Sequence, residues 1–118
     1  MSTEIEQPIA IACDLNAIPP EERAQHAADA EQLFLTVQEV VELENGYALR
    51  LPATSNSLIK AAEFIANERL CCPFFTFGLE IVANNGPLWL QLKGSDGVKQ
   101  FIEAEILSGL AFQITKAR

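Results

Sequence analysis

The chain has 118 residues, 49% of them hydrophobic and 20% charged, a composition that excludes extended disorder and leaves room for one core. Sixteen acidic against eight basic side chains give a formal charge of -8. That balance argues against nucleic acid and anionic membrane as partners, since both require cationic side chains to neutralise phosphate.

No apolar run approaches the roughly 18 residues that a membrane span needs. Met1 to Gln7 is polar and acidic, without the basic start and apolar stretch of a secretory signal, so the expected compartment is the cytoplasm. There the three cysteines, an odd number, are expected to stay reduced. The expected organisation is a flexible N-terminus over 1–7, a single domain over 8–110 and a C-terminal tail over 111–118.

Pro8 to Asp14 is a short apolar run rich in Ile and Ala, predicted as a buried first strand. Ile18-Pro19-Pro20-Glu21-Glu22 starts a helix, because proline tolerates the first turn and acids there complement the helix dipole. That helix runs to about Leu35 with Ala27, Ala30, Leu33 and Phe34 inward. Val37 to Leu51 reads as a β-hairpin around Glu44-Asn45-Gly46, with Asn-Gly supplying positive φ angles. Thr54 to Ser57 caps a second helix, Leu58 to about Leu70, with Leu58, Ala62, Ile65 and the stem of Arg69 along one side. Pro73 ends it.

Phe74 to Val82 alternates as a fourth strand, Asn84-Asn85-Gly86-Pro87 turns the chain, and Leu88 to Lys93 alternates as a fifth. Ser95 or Asp96 is placed to cap a third helix, Val98 to Leu107, with Phe101, Ile102 and Ile106 inward and Gly109 as its stop.

The order β-α-β-β-α-β-β-α predicts an α+β sandwich: a mostly antiparallel five-stranded sheet with helices on one face, a ferredoxin-like variant of spatial order 5-4-1-3-2. The fifth strand then lies at a sheet edge, carries few charges and offers Trp89 to a second copy, which predicts a homodimer.

The densest chemistry is Asn67-Glu68-Arg69-Leu70-Cys71-Cys72-Pro73-Phe74-Phe75. Gathered thiolates are soft donors that suit a soft metal ion such as Zn or Cu, or a metalloid. Cys13, Cys71 and Cys72 are the candidate ligands, and a tetrahedral zinc site needs a fourth from His26, Asp14 or Glu68. No C-x-x-C is present, and adjacent cysteines are awkward chelators because neighbouring side chains tend to diverge.

Two other readings stand beside the metal. In the first, Cys72 or Cys71 is the nucleophile of a thiol-dependent enzyme, with Arg69 stabilising negative charge and His26 as base. The helix C-terminus opposes a thiolate there. In the second, the cysteines are small core residues of a protein-interaction domain. Glu21, Glu22, Glu39, Glu42 and Glu44 read as solvated charges, and the aromatics lack the basic surround of a nucleic-acid platform.

Ala12-Cys13-Asp14-Leu15, Arg23 and above all Glu68-Arg69-Leu70-Cys71-Cys72-Pro73-Phe74-Phe75 resemble a family of small uncharacterised bacterial proteins. Its members share an N-terminal Cys and an E-R-x-C-C-P-F segment, and the resemblance runs from about Ile9 to Ile106. It implies a shared site built from Cys13, Glu68, Arg69, Cys71 and Cys72, and it carries no established activity.

Every functional reading requires that the cysteines meet. A right-handed crossover from the first strand, followed by the hairpin and the return of the second helix, predicts that Cys13 and the vicinal pair share one end of the sheet. Its sulfur is then expected within about 8 Å of one of theirs, with His26 farther away.

Overall fold

The computed structural model describes residues 11–109 and 114–116. A 3-10 turn, Leu15–Ala17, leads into α1, Pro20–Leu35. Pro20 stands at the first helical position and Glu21 and Glu22 fill the first turn, as the sequence predicts. The hairpin follows as β1, Glu39–Leu43, and β2, Gly46–Leu51. Thr54 caps α2, Ser55–Cys71, its side chain accepting a hydrogen bond from the Ser57 N–H at 3.0 Å. A second hairpin, β3, Thr76–Ile81, and β4, Leu88–Lys93, precedes α3, Val98–Glu105. A short strand, β5, Ile114–Lys116, completes the described chain.

The fold is α+β, and its body is an antiparallel sheet in which β3, β4, β2 and β1 lie side by side; β5 adds to β1 in parallel. Cross-strand register puts Val40, Leu49, Leu90 and Leu79 in one row, Tyr47, Leu92 and Phe77 in the next, and Leu51, Leu88 and Ile81 in a third. Because side chains alternate between faces, all these residues share one side of the sheet. The helices cover that side: Phe64 of α2 meets Phe77 edge-on, and Tyr47 donates a hydrogen bond to Glu103 of α3. Lys99 of α3 adds an ion pair to Glu42 at 2.6 Å. Leu49, Leu51, Leu90, Leu92, Val98 and Ile102 are fully buried and form the centre of the core.

The predicted strand order does not hold. Ile11 to Asp14 forms no strand, and Pro8–Ala10 lies outside the described residues, as does the predicted flexible terminus over 1–7. With no first strand between them, the two hairpins pair directly, β2 against β4. Leu88–Lys93 therefore sits inside the sheet with neighbours on both sides, so it offers no edge for the dimer contact predicted through Trp89. β3 is the strand with β4 alone as partner. The expected tail, 111–118, contains β5 over Ile114–Lys116, and its other residues lie outside the described set.

Smaller differences have local causes. Positive φ angles occur at Asn84 and Asn85 (62° and 55°) in the second hairpin, whereas the first turns through Glu44 and Asn45 without them. Gly97, with φ 94°, opens α3 in place of a Ser95 or Asp96 side-chain cap. The buried stripe of α2 runs through Ser57, Ala61, Phe64 and Cys71, one position away from the predicted Leu58-Ala62-Ile65-Arg69, which leaves Ala62 and Arg69 exposed. In α1 it is His26 and Leu33 that are buried, while Ala27 is exposed.

Leu90 is fully buried and Ile81, on the same face but at the edge, is 60% exposed. Leu90→Ala is expected to lower unfolding free energy by about 2–5 kcal/mol and Ile81→Ala to stay within about 0.5 kcal/mol of wild type in urea denaturation.

Candidate functional site

The site forms where α2 ends. The last turn of a helix leaves carbonyls without intrahelical partners, and one of these, Cys71 C=O, accepts the backbone N–H of Asp14 at 2.8 Å. The segment around Cys13 is thereby pinned to the end of α2. Two further contacts set its shape. Asp14 caps the 3-10 turn through the Asn16 N–H at 3.0 Å, and the Arg23 guanidinium donates to Ile18 C=O at 2.9 Å and Asn16 C=O at 3.1 Å.

Cys13 and Cys72, 59 positions apart in sequence, are joined by a disulfide with Cα atoms 4.7 Å apart. Where the sequence predicts three reduced thiols, two of them face each other across the pinned junction at bonding distance, and Cys71 is the free one. The expected meeting of Cys13 with the vicinal pair is met, although by a helix end and a loop instead of adjacent strands.

Adjacent cysteines diverge on a regular helix, yet Cys71 Sγ and Cys72 Sγ lie 3.5 Å apart. The reason is the backbone. Cys71 is the last helical residue, and Cys72 leaves the helix at φ -126° and ψ 69°, with Pro73 next. Both sulfurs turn toward Glu68, one helical turn back. The Cys71 thiol donates to Glu68 Oε1 at 3.6 Å, and Cys72 Sγ lies 3.4 Å from Oε2. One sulfur or oxygen atom from each of Cys13, Glu68, Cys71 and Cys72 falls within 4.8 Å of the others.

His26, expected to be remote, reaches the same carboxylate. Its Nε2 lies 2.8 Å from Glu68 Oε1, and its ring stacks on Phe64 with centroids 5.8 Å apart. The side chains of His26 and Glu68 are 5% and 14% exposed, so the pair is sheltered between α1 and α2. Among the described residues the hydrogen-bond partner of His26 is Glu68 and not the sulfur of Cys71 or Cys72, so it positions that carboxylate. Arg69 is exposed, and no hydrogen bond or ion pair joins it to the sulfurs among the described residues.

Burial and the adjacent Glu68 carboxylate push the Cys71 thiol up to about 12. Cys71 is 2% exposed and Cys72 0%, whereas Cys13 is exposed. The vicinal pair foreseen as a nucleophile is therefore the sheltered part of the cluster: both members are buried, and burial with the Glu68 carboxylate opposes a thiolate at Cys71. Sequence reasoning found Glu68 but missed its link to His26 and the loop-fixing role of Arg23. The spacing Glu68, Cys71, Cys72 on a helix signals that the carboxylate meets the sulfurs, and carries no signal for His26.

Comparison of the chain with protein-family models, curated proteins and solved structures gave no match.

Three measurements follow from this geometry. In the oxidised protein, alkylation of Cys71 is expected to be slow at pH 8, to speed up as pH rises, and to be faster in Glu68→Gln. Because the folded state holds this proton more tightly than the unfolded chain, stability is expected to fall as pH rises from about 9 toward 12, less steeply in Cys71→Ser. His26→Ala is expected to cost about 1.5–3 kcal/mol in urea denaturation, the range of a hydrogen bond to a charged group.

Proposed function

We propose that the protein binds a soft metal ion through Cys13, Cys71 and Cys72, with Glu68 as fourth donor, when its thiols are reduced. The observation that carries this reading is the gathering of four donor atoms within 4.8 Å of one another. In a tetrahedral zinc thiolate, Zn–S bonds of about 2.3 Å separate the sulfurs by about 3.8 Å, a spacing that Cys71 and Cys72 approach at 3.5 Å and that Cys13 and Cys72 can reach once their bond is reduced.

The electrostatics favour the same class of ligand. A carboxylate beside three sulfurs, at the negative end of a helix, resists the accumulation of thiolate charge unless a cation enters with it. Three sulfurs select thiophilic ions over magnesium or calcium. Zn(II) uses all four donors; Cu(I) is served by the three sulfurs alone. His26 then fixes the Glu68 carboxylate from behind, as partners of metal ligands commonly do.

Among the described residues no helix is long and apolar enough to cross a membrane. The proposed setting is the cytoplasm, where a reducing glutathione pool keeps thiols free and disulfides are transient.

The test is direct. Protein reduced and exchanged into chelator-free buffer is expected to take up one Cd(II) or Zn(II) per chain, with a rise in melting temperature and, for cadmium, a thiolate charge-transfer band. Cys71→Ser, which leaves the other partners in place, is expected to weaken binding at least tenfold. Absence of both uptake and thermal shift with Zn(II), Cd(II) and Cu(I) would refute the proposal.

A further inference from the structure

Two of the four proposed metal donors are spent in the Cys13–Cys72 disulfide. A sulfur bound to sulfur has no thiolate to offer a cation, so the disulfide and the full donor set exclude each other. We propose that the site has a thiol–disulfide exchange activity at Cys13, taking small dithiols and disulfides as substrates, and that this exchange opens and closes the metal site. The second half of the proposal rests on the metal reading above.

Access decides which sulfur reacts. Cys72 is fully buried and Cys71 nearly so, while Cys13 is exposed on the loop that precedes α1. An incoming thiolate therefore attacks Cys13 Sγ. A mixed disulfide forms between Cys13 and the dithiol, the Cys13–Cys72 bond breaks, and its electron pair leaves on Cys72 Sγ. The second thiolate of the dithiol then attacks its own sulfur in the mixed disulfide and releases Cys13 as a thiolate. The dithiol is oxidised by two electrons to a cyclic disulfide, and the protein is reduced by two. The two protons that the dithiol gave up pass to solvent or to the released sulfurs. Run backwards with a disulfide as oxidant, the same steps close the bond and remove two donors from a bound ion.

The framework suits repeated opening. The Asp14 N–H to Cys71 C=O bond and the two Arg23 hydrogen bonds hold the Cys13 loop independently of the sulfurs. Reduction thus leaves Cys13 and Cys72 facing each other, with Cys71 beside Cys72 at 3.5 Å as the donor that neither state consumes. This separates Cys71 from the reactive pair: it serves the ion and not the exchange.

The experiment uses the full chain. Oxidised wild type is treated with dithiothreitol, titratable thiols are counted, and Cd(II) uptake is read from its charge-transfer band before and after. Thiols are expected to rise from one to three, and cadmium affinity to rise at least tenfold in step. In parallel, Cys72→Ser and Cys13→Ser proteins are treated with an aromatic disulfide and mapped by mass spectrometry. The first is expected to be trapped as a mixed disulfide on Cys13, and the second to label Cys72 at least tenfold more slowly. Equal cadmium affinity in oxidised and reduced protein overturns the gate while leaving metal binding intact. Three thiols after reduction with no cadmium bound in either state overturns the metal reading, and the gate with it. A mixed disulfide on Cys72 in preference to Cys13, or a Cys71–Cys72 bond in the oxidised wild type, overturns the route.

Discussion

The junction at the end of α2 depends on one backbone hydrogen bond, Asp14 N–H to Cys71 C=O. Ile11 to Asp14 has no strand to belong to, so the sheet does not fix its position. The unpaired carbonyls of a helix C-terminus do so instead, supplying an acceptor at the place where the chain needs one. Once that bond is made, Cys13 and Cys72 have Cα atoms 4.7 Å apart and a crosslink requires no further folding. Closing a loop of this length restricts the unfolded chain by about 4 kcal/mol in the chain-entropy account, comparable with much of the stability of a small domain.

Glu68 is harder to explain by stability. A carboxylate near a helix C-terminus meets the dipole unfavourably, and its burial beside sulfurs forgoes hydration. His26 offsets part of that cost with a hydrogen bond at 2.8 Å, and Phe64 packs against the imidazole. An apolar residue at position 68 would avoid the problem altogether. The arrangement makes sense if the carboxylate is there for the sulfurs, and burying His26 in α1 is the means of holding it.

Much of this was legible in the sequence, and the remainder failed for identifiable reasons. Local signals performed well: Pro20 with Glu21 and Glu22 for the start of α1, Thr54 for the cap of α2, the alternating Leu88, Leu90 and Leu92 for β4, and Glu68 to Phe75 for the site. What misled was the apolar run ending at Asp14. Its composition suits a strand, but composition does not reveal whether a pairing partner remains, and β2 and β4 satisfy each other. With no strand there, Thr76–Ile81 takes the edge and Leu88–Lys93 moves inside, while the first hairpin keeps its predicted order. The α2 stripe slipped by one residue because Leu58-Ala62-Ile65 and Ser57-Ala61-Phe64 have the same period, and only tertiary packing of Phe64 against Phe34, Phe77 and His26 chooses between them. The His26–Glu68 contact spans 42 positions, and no local pattern encodes it.

The same electrostatic feature separates the functional readings. A nucleophilic cysteine needs positive potential to exist as a thiolate, from a helix N-terminus, a histidine cation or a nearby arginine. Here Cys71 and Cys72 stand at a helix C-terminus with a carboxylate between them and His26, and among the described residues no hydrogen bond or ion pair joins the exposed Arg69 to them. Each of these raises the cost of a bare thiolate. Each also deepens the negative potential that a cation would neutralise, so what suppresses attack on an electrophile favours coordination of a positive ion. Exchange chemistry meets the constraint only at its leaving sulfur, Cys72, because attack begins at Cys13, the exposed residue of the cluster. Coordination inside and exchange at the rim are thus two consequences of one asymmetric burial.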